Sequence, residues 1–113
     1  MKRGDIWTAA GGAGYAGKPR PVLIVQEDSF AATESITVCL LTTTLIEADI
    51  GRQIIEPGPE NGLRETSYVM IDKVTTIPRT RLGQRLGALK PTAMAPINQA
   101  MLVFLGLAGS ARR

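Results

Sequence analysis

Histidine is absent from this 113-residue chain, and cysteine occurs once, as Cys39. Histidine is the commonest general base and the commonest metal ligand, so a Ser-His-Asp hydrolase triad is excluded. With a single cysteine as well, the ligands of a zinc site are missing, and no metal or cofactor is expected. The sequence also lacks a Walker-type phosphate loop and a GxGxxG nucleotide-binding pattern. Any catalysis therefore has to use arginine, lysine, carboxylates, hydroxyls or tyrosine.

Long hydrophobic runs are missing too. No apolar run approaches the roughly 20 residues of a membrane helix, and no hydrophobic region follows the first five residues, so neither a membrane span nor a signal peptide is expected. Cys39 lies in the apolar run 38–41, and a free buried thiol is typical of a reducing compartment. A cytoplasmic protein is therefore expected.

Size and charge set the next limits. A chain of 113 residues with 44% hydrophobic residues is long enough for one domain with its own core, so we expect a single domain over residues 1–113. The net charge is +3 and the isoelectric point about 9.4. A mildly basic surface permits an anionic partner without requiring one, because many small basic domains bind nothing acidic.

Short β-strands dominate the predicted secondary structure. Alternating or continuous apolar runs, bounded by glycine and proline, predict strands over residues 5–9, 19–26, 35–43, 52–56, 66–77 and 82–89. Residues 57–62 have the composition of a turn, and one helical turn is expected around Phe30. Strands with such turns favour a small, partly open β-barrel over a parallel sheet.

Near the C-terminus the apolar period changes to that of a helix. The expected helical face consists of Ile97, Ala100, Met101, Phe104, Leu105 and Ala108. Thr92 is the expected N-cap, Pro96 is expected in the first turn, and Gly109 is expected to end the helix. The fold class is thus mainly β with one C-terminal α-helix.

Arg20 lies between Pro19 and Pro21, directly before the aliphatic run 22–25. Each proline fixes its own φ, and Pro21 also restricts Arg20 to extended conformations. A guanidinium held in this way suits a pair of phosphate oxygens. The alternative is an ordinary surface arginine at the start of a strand.

Thr42 ends the apolar stretch 38–41 and is followed by Thr43 and Thr44. Its hydroxyl is either a hydrogen-bond donor placed where a strand leaves the core or a consequence of the high β-propensity of threonine. The sequence alone favours the second interpretation.

Asp72 interrupts an aliphatic run, although aspartate is depleted in strands. It either pairs with Lys73 or an arginine as part of the structure, or it acts as a general base or holds Arg20 in place. Further along, Arg79, Arg81 and Arg85 form a basic cluster. Such a cluster usually marks a solvated edge strand, and the alternative is contact with a nucleic-acid backbone.

Taken together, these residues resemble the MazF/PemK family of toxin endoribonucleases. Four pieces in the family's order carry the resemblance: the opening strand Arg-Gly-Asp-Ile-Trp (3–7), the motif Gly-Lys-Pro-Arg-Pro-Val-Leu-Ile-Val (17–25), the strand end Leu-Leu-Thr (40–42) and the later strand 69–77.

The resemblance implies an SH3-like barrel that works as a homodimer. It implies metal-independent cleavage of single-stranded RNA that leaves a 2′,3′-cyclic phosphate and a 5′-hydroxyl. It also implies a cognate antitoxin whose disordered tail folds across the RNA site. DNA would be contacted only indirectly, through the antitoxin–toxin complex.

By position, Arg20 and Thr42 match the family's catalytic arginine and threonine, and Asp72 matches an acid that some members use as a base. Some members also carry an arginine two residues before that acid. This chain has Met70 there, so the mechanism that the resemblance supports uses Arg20 and Thr42. The expected RNA-binding residues are Tyr15, Lys18, Thr43, Thr44, Arg79 and Arg81.

The segments 10–17 and 44–51 are the expected lid and specificity loops, and Tyr15 in the first is placed to stack on a base. Two alternatives remain open. A gyrase-poisoning toxin of the CcdB type would use the same barrel, but that family acts through a Trp-Gly-Ile-like C-terminus, whereas Trp7 is the only tryptophan here. A non-catalytic SH3-like module would bind RNA without cleaving it.

Overall fold

The computed structural model describes residues 1–10, 18–44 and 52–108. In this part of the chain six strands form one sheet, followed by one α-helix. The strands are β1 Asp5–Ala9, β2 Arg20–Ile24, β3 Ser35–Thr42, β4 Gln53–Ile55, β5 Ser67–Pro78 and β6 Leu82–Ala88, and the helix is α1 Pro91–Phe104. Each predicted strand is present, with ends shifted by at most two residues. The predicted helical turn is the 3₁₀ turn Asp28–Phe30.

The strand order is β4-β5-β3-β2-β1-β6, and neighbouring strands are antiparallel. The central strands β2 and β3 are buried on both faces, which explains their continuous apolar runs. In β2, Leu23 packs into one cluster while Val22 and Ile24 pack into the other. Successive side chains of a strand point to opposite faces, so a two-sided core requires apolar residues at every position.

One core cluster lies between the sheet and α1, with Met94 and Ile97 as the helix's buried residues. The second cluster lies on the opposite face. Ile77 near the end of β5 and Leu82 at the start of β6 pack against this second cluster. The sheet therefore curves around its second cluster in the manner of a barrel.

The barrel is partly open because β4 and β6 are the two edges of the described sheet. A backbone bond of 2.8 Å from the N–H of Ala88 to the carbonyl of Glu60 links the turn after β4 to β6. In that turn the buried Asn61 side chain accepts hydrogen bonds from the N–H groups of Gly58 and Leu63 and donates one to the carbonyl of Glu56. The predicted turn and the mainly β, partly open barrel with a C-terminal helix are confirmed.

The predicted helix ends are wrong. The N-cap is Lys90, not Thr92, because Pro91 takes the first helical position, where its fixed φ is favourable. Pro96 consequently lies inside the helix rather than in its first turn. The helix ends before Gly106, whose φ of +74° suits the left-handed position after a helix. The expected terminator, Gly109, lies outside the described residues.

The early end changes the helix's core face. Met94 and Ile97 are buried, and Ala100 and Met101 pack against them at the margin. Phe104 and Leu105, predicted to face the core, are 45% and 50% exposed. The predicted helical period is thus confirmed, but the core-facing residues begin and end earlier in the chain than predicted. Within the described ranges, no helix has the length and apolar character needed to span a membrane.

Candidate active site

The sheet brings Arg20 and Thr42 together. The antiparallel register of β2 and β3 pairs Val22 with Leu40. Arg20 and Thr42 each lie two residues beyond that pair toward the same end of the sheet, so the register sets them opposite each other and on one face. Both line an open pocket of about 360 Å³. The two residues that the sequence identifies separately therefore share one site.

The pocket has an apolar floor and a basic rim. Leu40, Leu41 and Met70 line it together with Arg20, Thr42 and Lys73. None of the described lining residues is a carboxylate. A concave site with positive side chains and low-polarity walls favours an anion.

Arg20 is the first residue of β2 and is paired with Ala9 of β1. Its extended backbone is what the flanking prolines require. The next residue, Pro21, lies opposite Thr8 in the same pairing. The side chain is exposed at the end of the sheet, where it can reach a solvent-borne ligand.

The Thr42 hydroxyl is oriented by its own chain. Its Oγ1 accepts a hydrogen bond of 3.1 Å from the backbone N–H of Thr44. This bond engages an oxygen lone pair and not the hydroxyl proton, so the proton can be donated to a ligand. Thr43 and Thr44 follow as exposed residues next to the pocket.

A β-bulge in β5 places Lys73 in the pocket. Leu40 pairs with Met70 and Cys39 with Val74, so residues 71–73 stand opposite a single peptide of β3. From the sequence, Lys73 is predicted only as a possible partner of Asp72. Strand alternation gives no signal for its position, because a bulge interrupts that alternation.

Asp72 does not line the pocket. Its Oδ2 lies 3.3 Å from Nη2 of Arg52, and the two side chains are 19% and 6% exposed, respectively. Pairing with an arginine was one of the alternatives left open by the sequence, and the arginine is Arg52. Nε and Nη1 of Arg52 and Oδ1 of Asp72 are buried without a hydrogen-bond partner in the described parts of the chain.

Two further predicted RNA-binding residues lie at the same end of the sheet as Arg20. Lys18 is exposed just before β2. The backbone carbonyl of Arg81 accepts a 2.8 Å hydrogen bond from the N–H of Ala10. Ala9, the residue before Ala10, pairs with β6 on one side of β1 and with Arg20 of β2 on the other. Arg81 is thus about two strand spacings, roughly 10 Å, from Arg20. Tyr15 lies outside the described residues, as do the segments 11–17 and 45–51.

Arg79 is positioned elsewhere. It follows Pro78, which pairs with Ser35 at the opposite end of β3 from Thr42, roughly 23 Å along that strand. Its Nε donates to the carbonyl of Thr33 at 2.8 Å and its Nη2 to that of Ala31 at 2.5 Å. These bonds tie the guanidinium to the segment before β3. The structure does not bring Arg79 to the pocket.

Cys39 is fully buried in the helix-side core. Burial raises the pKa of its thiol to about 12, with a smaller opposing effect from Arg3. The thiol is therefore neutral at physiological pH and is not a nucleophile there.

Comparisons with known proteins agree with this geometry. The family model described as "PemK-like, MazF-like toxin of type II toxin-antitoxin system" matches residues 2–105. The "Probable endoribonuclease MazF" of Mycolicibacterium smegmatis is 54% identical over 109 residues, which cover 96% of this chain and 100% of the relative.

Solved structures show the same fold. An endoribonuclease in complex with its cognate antitoxin, from a mycobacterial species, is 30% identical with a TM-score of 0.76, covering 97% of this chain and 99% of that one. The Mycobacterium tuberculosis toxin MazF-mt6 is 26% identical with a TM-score of 0.77, covering 93% and 99%. The chain belongs to the family of PemK-like, MazF-like toxins of type II toxin–antitoxin systems.

Proposed function

We propose that this chain is the toxin endoribonuclease of a toxin–antitoxin pair and cleaves single-stranded RNA at the pocket of Arg20 and Thr42. The observation that carries the proposal is the shared lining of this pocket by a guanidinium and an oriented hydroxyl. The name of the 54% identical relative, a probable endoribonuclease, supports the same activity.

In the proposed reaction the RNA supplies its own nucleophile. The 2′-oxygen attacks the adjacent phosphorus, the bond from phosphorus to the 5′-oxygen breaks, and a 2′,3′-cyclic phosphate and a 5′-hydroxyl result. The 2′-hydroxyl proton passes to water, and the departing 5′-oxygen takes a proton from water. The enzyme has to hold the nucleotide in line and stabilise the negative charge that builds on the phosphate oxygens.

Arg20 and Thr42 have complementary tasks in this step. The guanidinium of Arg20 donates parallel N–H groups to a pair of phosphate oxygens, and the hydroxyl of Thr42 donates to one of them. Losing one such donor costs about 10²–10³ in rate. Neither task requires a metal ion, so the activity is expected to persist in a chelator.

Asp72 has a supporting role in this proposal. Its carboxylate faces Arg52 and does not line the pocket, so we give it no part in proton transfer. We assign the pair to holding β5 at its bulge, next to the residues that line the site.

A homodimer that binds an antitoxin is the proposed assembly. The end of α1 exposes apolar side chains that a second copy would cover: Leu102, Val103, Phe104, Leu105 and Leu107. The 30% identical relative is an endoribonuclease in complex with its cognate antitoxin. In this chain an antitoxin segment would compete with RNA for the basic rim of the pocket. DNA contact would come through that complex alone, and the cytoplasm is the proposed compartment.

The proposal is tested by incubating the purified protein with a long single-stranded RNA in EDTA and mapping both ends of each product. Defined cuts with cyclic-phosphate and 5′-hydroxyl ends are expected. Arg20→Ala should remain folded and lose the activity. Binding without cuts would support the non-catalytic module, and inhibition of gyrase without cuts would support the CcdB-like alternative.

A further inference from the structure

We infer that Lys73 is a further RNA-contacting residue of this pocket and supplies a second positive charge to the scissile phosphate. The inference rests on the proposed cleavage site and extends it to a residue outside the Arg20–Thr42 pair. Its basis is the position that the β5 bulge gives to Lys73.

The bulge exchanges the two faces of β5. Before it, Val69 and Ile71 pack into the helix-side core, whereas Met70 lines the pocket. In a regular strand Lys73 would share the face of Val69 and Ile71. After the bulge Val74 packs against the helix-side core instead, and Lys73 lines the pocket beside Met70. The irregularity therefore moves a cation from a core-facing position to the active site.

Edge protection is the alternative explanation of this lysine. β4 pairs only with residues 67–69 of β5, so beyond them that side of β5 is an edge of the described sheet, where an exposed lysine often prevents further pairing. The pocket favours the other role. Lys73 also lines the same pocket as Arg20, with no carboxylate among the described lining residues. Positive side chains around an apolar floor attract an anion to this site. A phosphate diester of RNA is the anion that the proposed function supplies.

The chemical roles of the two cations differ. Arg20 offers a planar fork, whereas lysine offers a compact charge on a flexible stem. A flexible ammonium can follow the phosphate as its oxygens gain charge during attack. Lys73 therefore contributes both to affinity for the bound strand and to the rate of cleavage.

The test uses a short RNA oligonucleotide that spans a cut mapped with the wild-type protein in EDTA. Its non-cleavable form carries a 2′-deoxyribose at the scissile nucleotide. Lys73→Met should reduce the single-turnover rate about 100-fold, as loss of one charge-stabilising donor does. A plot of log binding affinity against log salt concentration should also become less steep by about 0.7, the value for one phosphate contact to a single strand. Lys73→Arg should retain most of the single-turnover rate and most of the salt dependence of binding.

Lys90→Met is the matched control, because Lys90 is an exposed lysine at the start of α1, outside the pocket lining. It should change neither the rate nor the salt slope. A wild-type rate and slope for Lys73→Met, with Arg20→Ala inactive, would overturn the role of Lys73 and leave the cleavage site standing. Equal loss in Lys73→Met and Lys73→Arg with an unchanged slope would show a structural role and also overturn it. If the wild-type protein makes no cuts, the proposed function itself fails.

Discussion

Asp72 and Arg52 form a partly buried ion pair that joins the bulge of β5 to the residue just before β4, with 3.3 Å between Oδ2 and Nη2. A charged pair in this position is sensitive to the loss of one partner, because the other is then left buried and uncompensated. Substitutions in this pair can therefore test whether Asp72 has a structural or a catalytic role.

Asp72→Ala should lower the free energy of unfolding by up to about 3–5 kcal/mol, the cost of breaking a fully buried pair, since it leaves the Arg52 guanidinium unpaired. The double substitution Arg52→Met with Asp72→Leu should recover most of that loss, as measured by urea unfolding. The double variant should also cleave RNA within about 10-fold of the wild-type rate, because no proton passes through Asp72. A general base would instead cost about 10²–10⁴ in rate when removed, and a folded double variant with that deficit would restore the catalytic hypothesis.

The strands were predictable from sequence because their apolar runs end at residues with strong local preferences. Pro19 and Pro21 mark the start of β2, and the glycine and proline of the segment 57–62 mark a turn. Arg20 was identified for the same reason, since the flanking prolines define its backbone. The family assignment is confirmed by the comparisons, whereas the catalytic and RNA-binding roles of individual residues remain predictions.

Other features depend on tertiary structure and were missed. The partner of Asp72 is Arg52, twenty residues earlier in the chain, and no local pattern specifies that pairing. Lys73 was missed because a bulge changes the face of the strand without a mark in the sequence. Arg79 looked like part of a basic surface, but its guanidinium binds backbone carbonyls that only the folded chain brings near.

The closure of the turn 57–62 onto β6 provides a test of stability. A side chain at Gly87 would overlap the backbone of Glu60 and Asn61, and one at Gly62, where φ is +72°, would overlap the carbonyl of Leu86. Gly87→Ala should therefore lower the free energy of unfolding by about 1–3 kcal/mol, the usual cost of overpacking. Gly62→Ala should cost more, since left-handed strain of about 1–2 kcal/mol is added to the overlap.

Gly106→Ala measures the left-handed strain without the overlap. Gly106 has a φ of +74° but nothing within 4 Å of the added carbon, so only the strain of about 1–2 kcal/mol should appear. Urea unfolding of the three variants gives the comparison. No loss of stability for Gly87→Ala would show that the turn does not pack on β6 as described.

Stability should depend on pH through Asp5. Burial acts to raise the pKa of its carboxyl, but the backbone N–H of Lys2, 2.9 Å from Oδ2, and the guanidinium of Arg85 outweigh it, so the pKa lies below its ordinary value. Because the folded pKa is lower than the unfolded one, the ionised carboxylate stabilises the fold above the unfolded pKa of about 3.9. That contribution is lost as pH falls through the folded pKa.

Asp5→Asn should therefore be less stable than the wild type at pH 6, and the difference should shrink progressively below about pH 4. Urea unfolding at pH 6, 4 and 3 measures it. Glu65→Gln, at an exposed acid, controls for the loss of one negative charge. A difference between wild type and Asp5→Asn that stays constant from pH 6 to pH 3 would contradict the assignment of this effect to the carboxylate.

The hydroxyl of Thr42 can be tested separately from the shape of its side chain. Thr42→Val keeps the volume but removes both the donor to phosphate and the acceptor for the N–H of Thr44, so the single-turnover rate should fall about 10²–10³-fold. Thr42→Ser keeps the hydroxyl and should remain within about 10-fold of the wild type. Because the lost bond to Thr44 is worth only about 1 kcal/mol, Thr42→Val should remain folded, with its urea midpoint lowered by no more than about 0.3–1 M. Equal rates for the valine and serine variants would mean that the threonine hydroxyl does not act on the phosphate, and that Arg20 works without it.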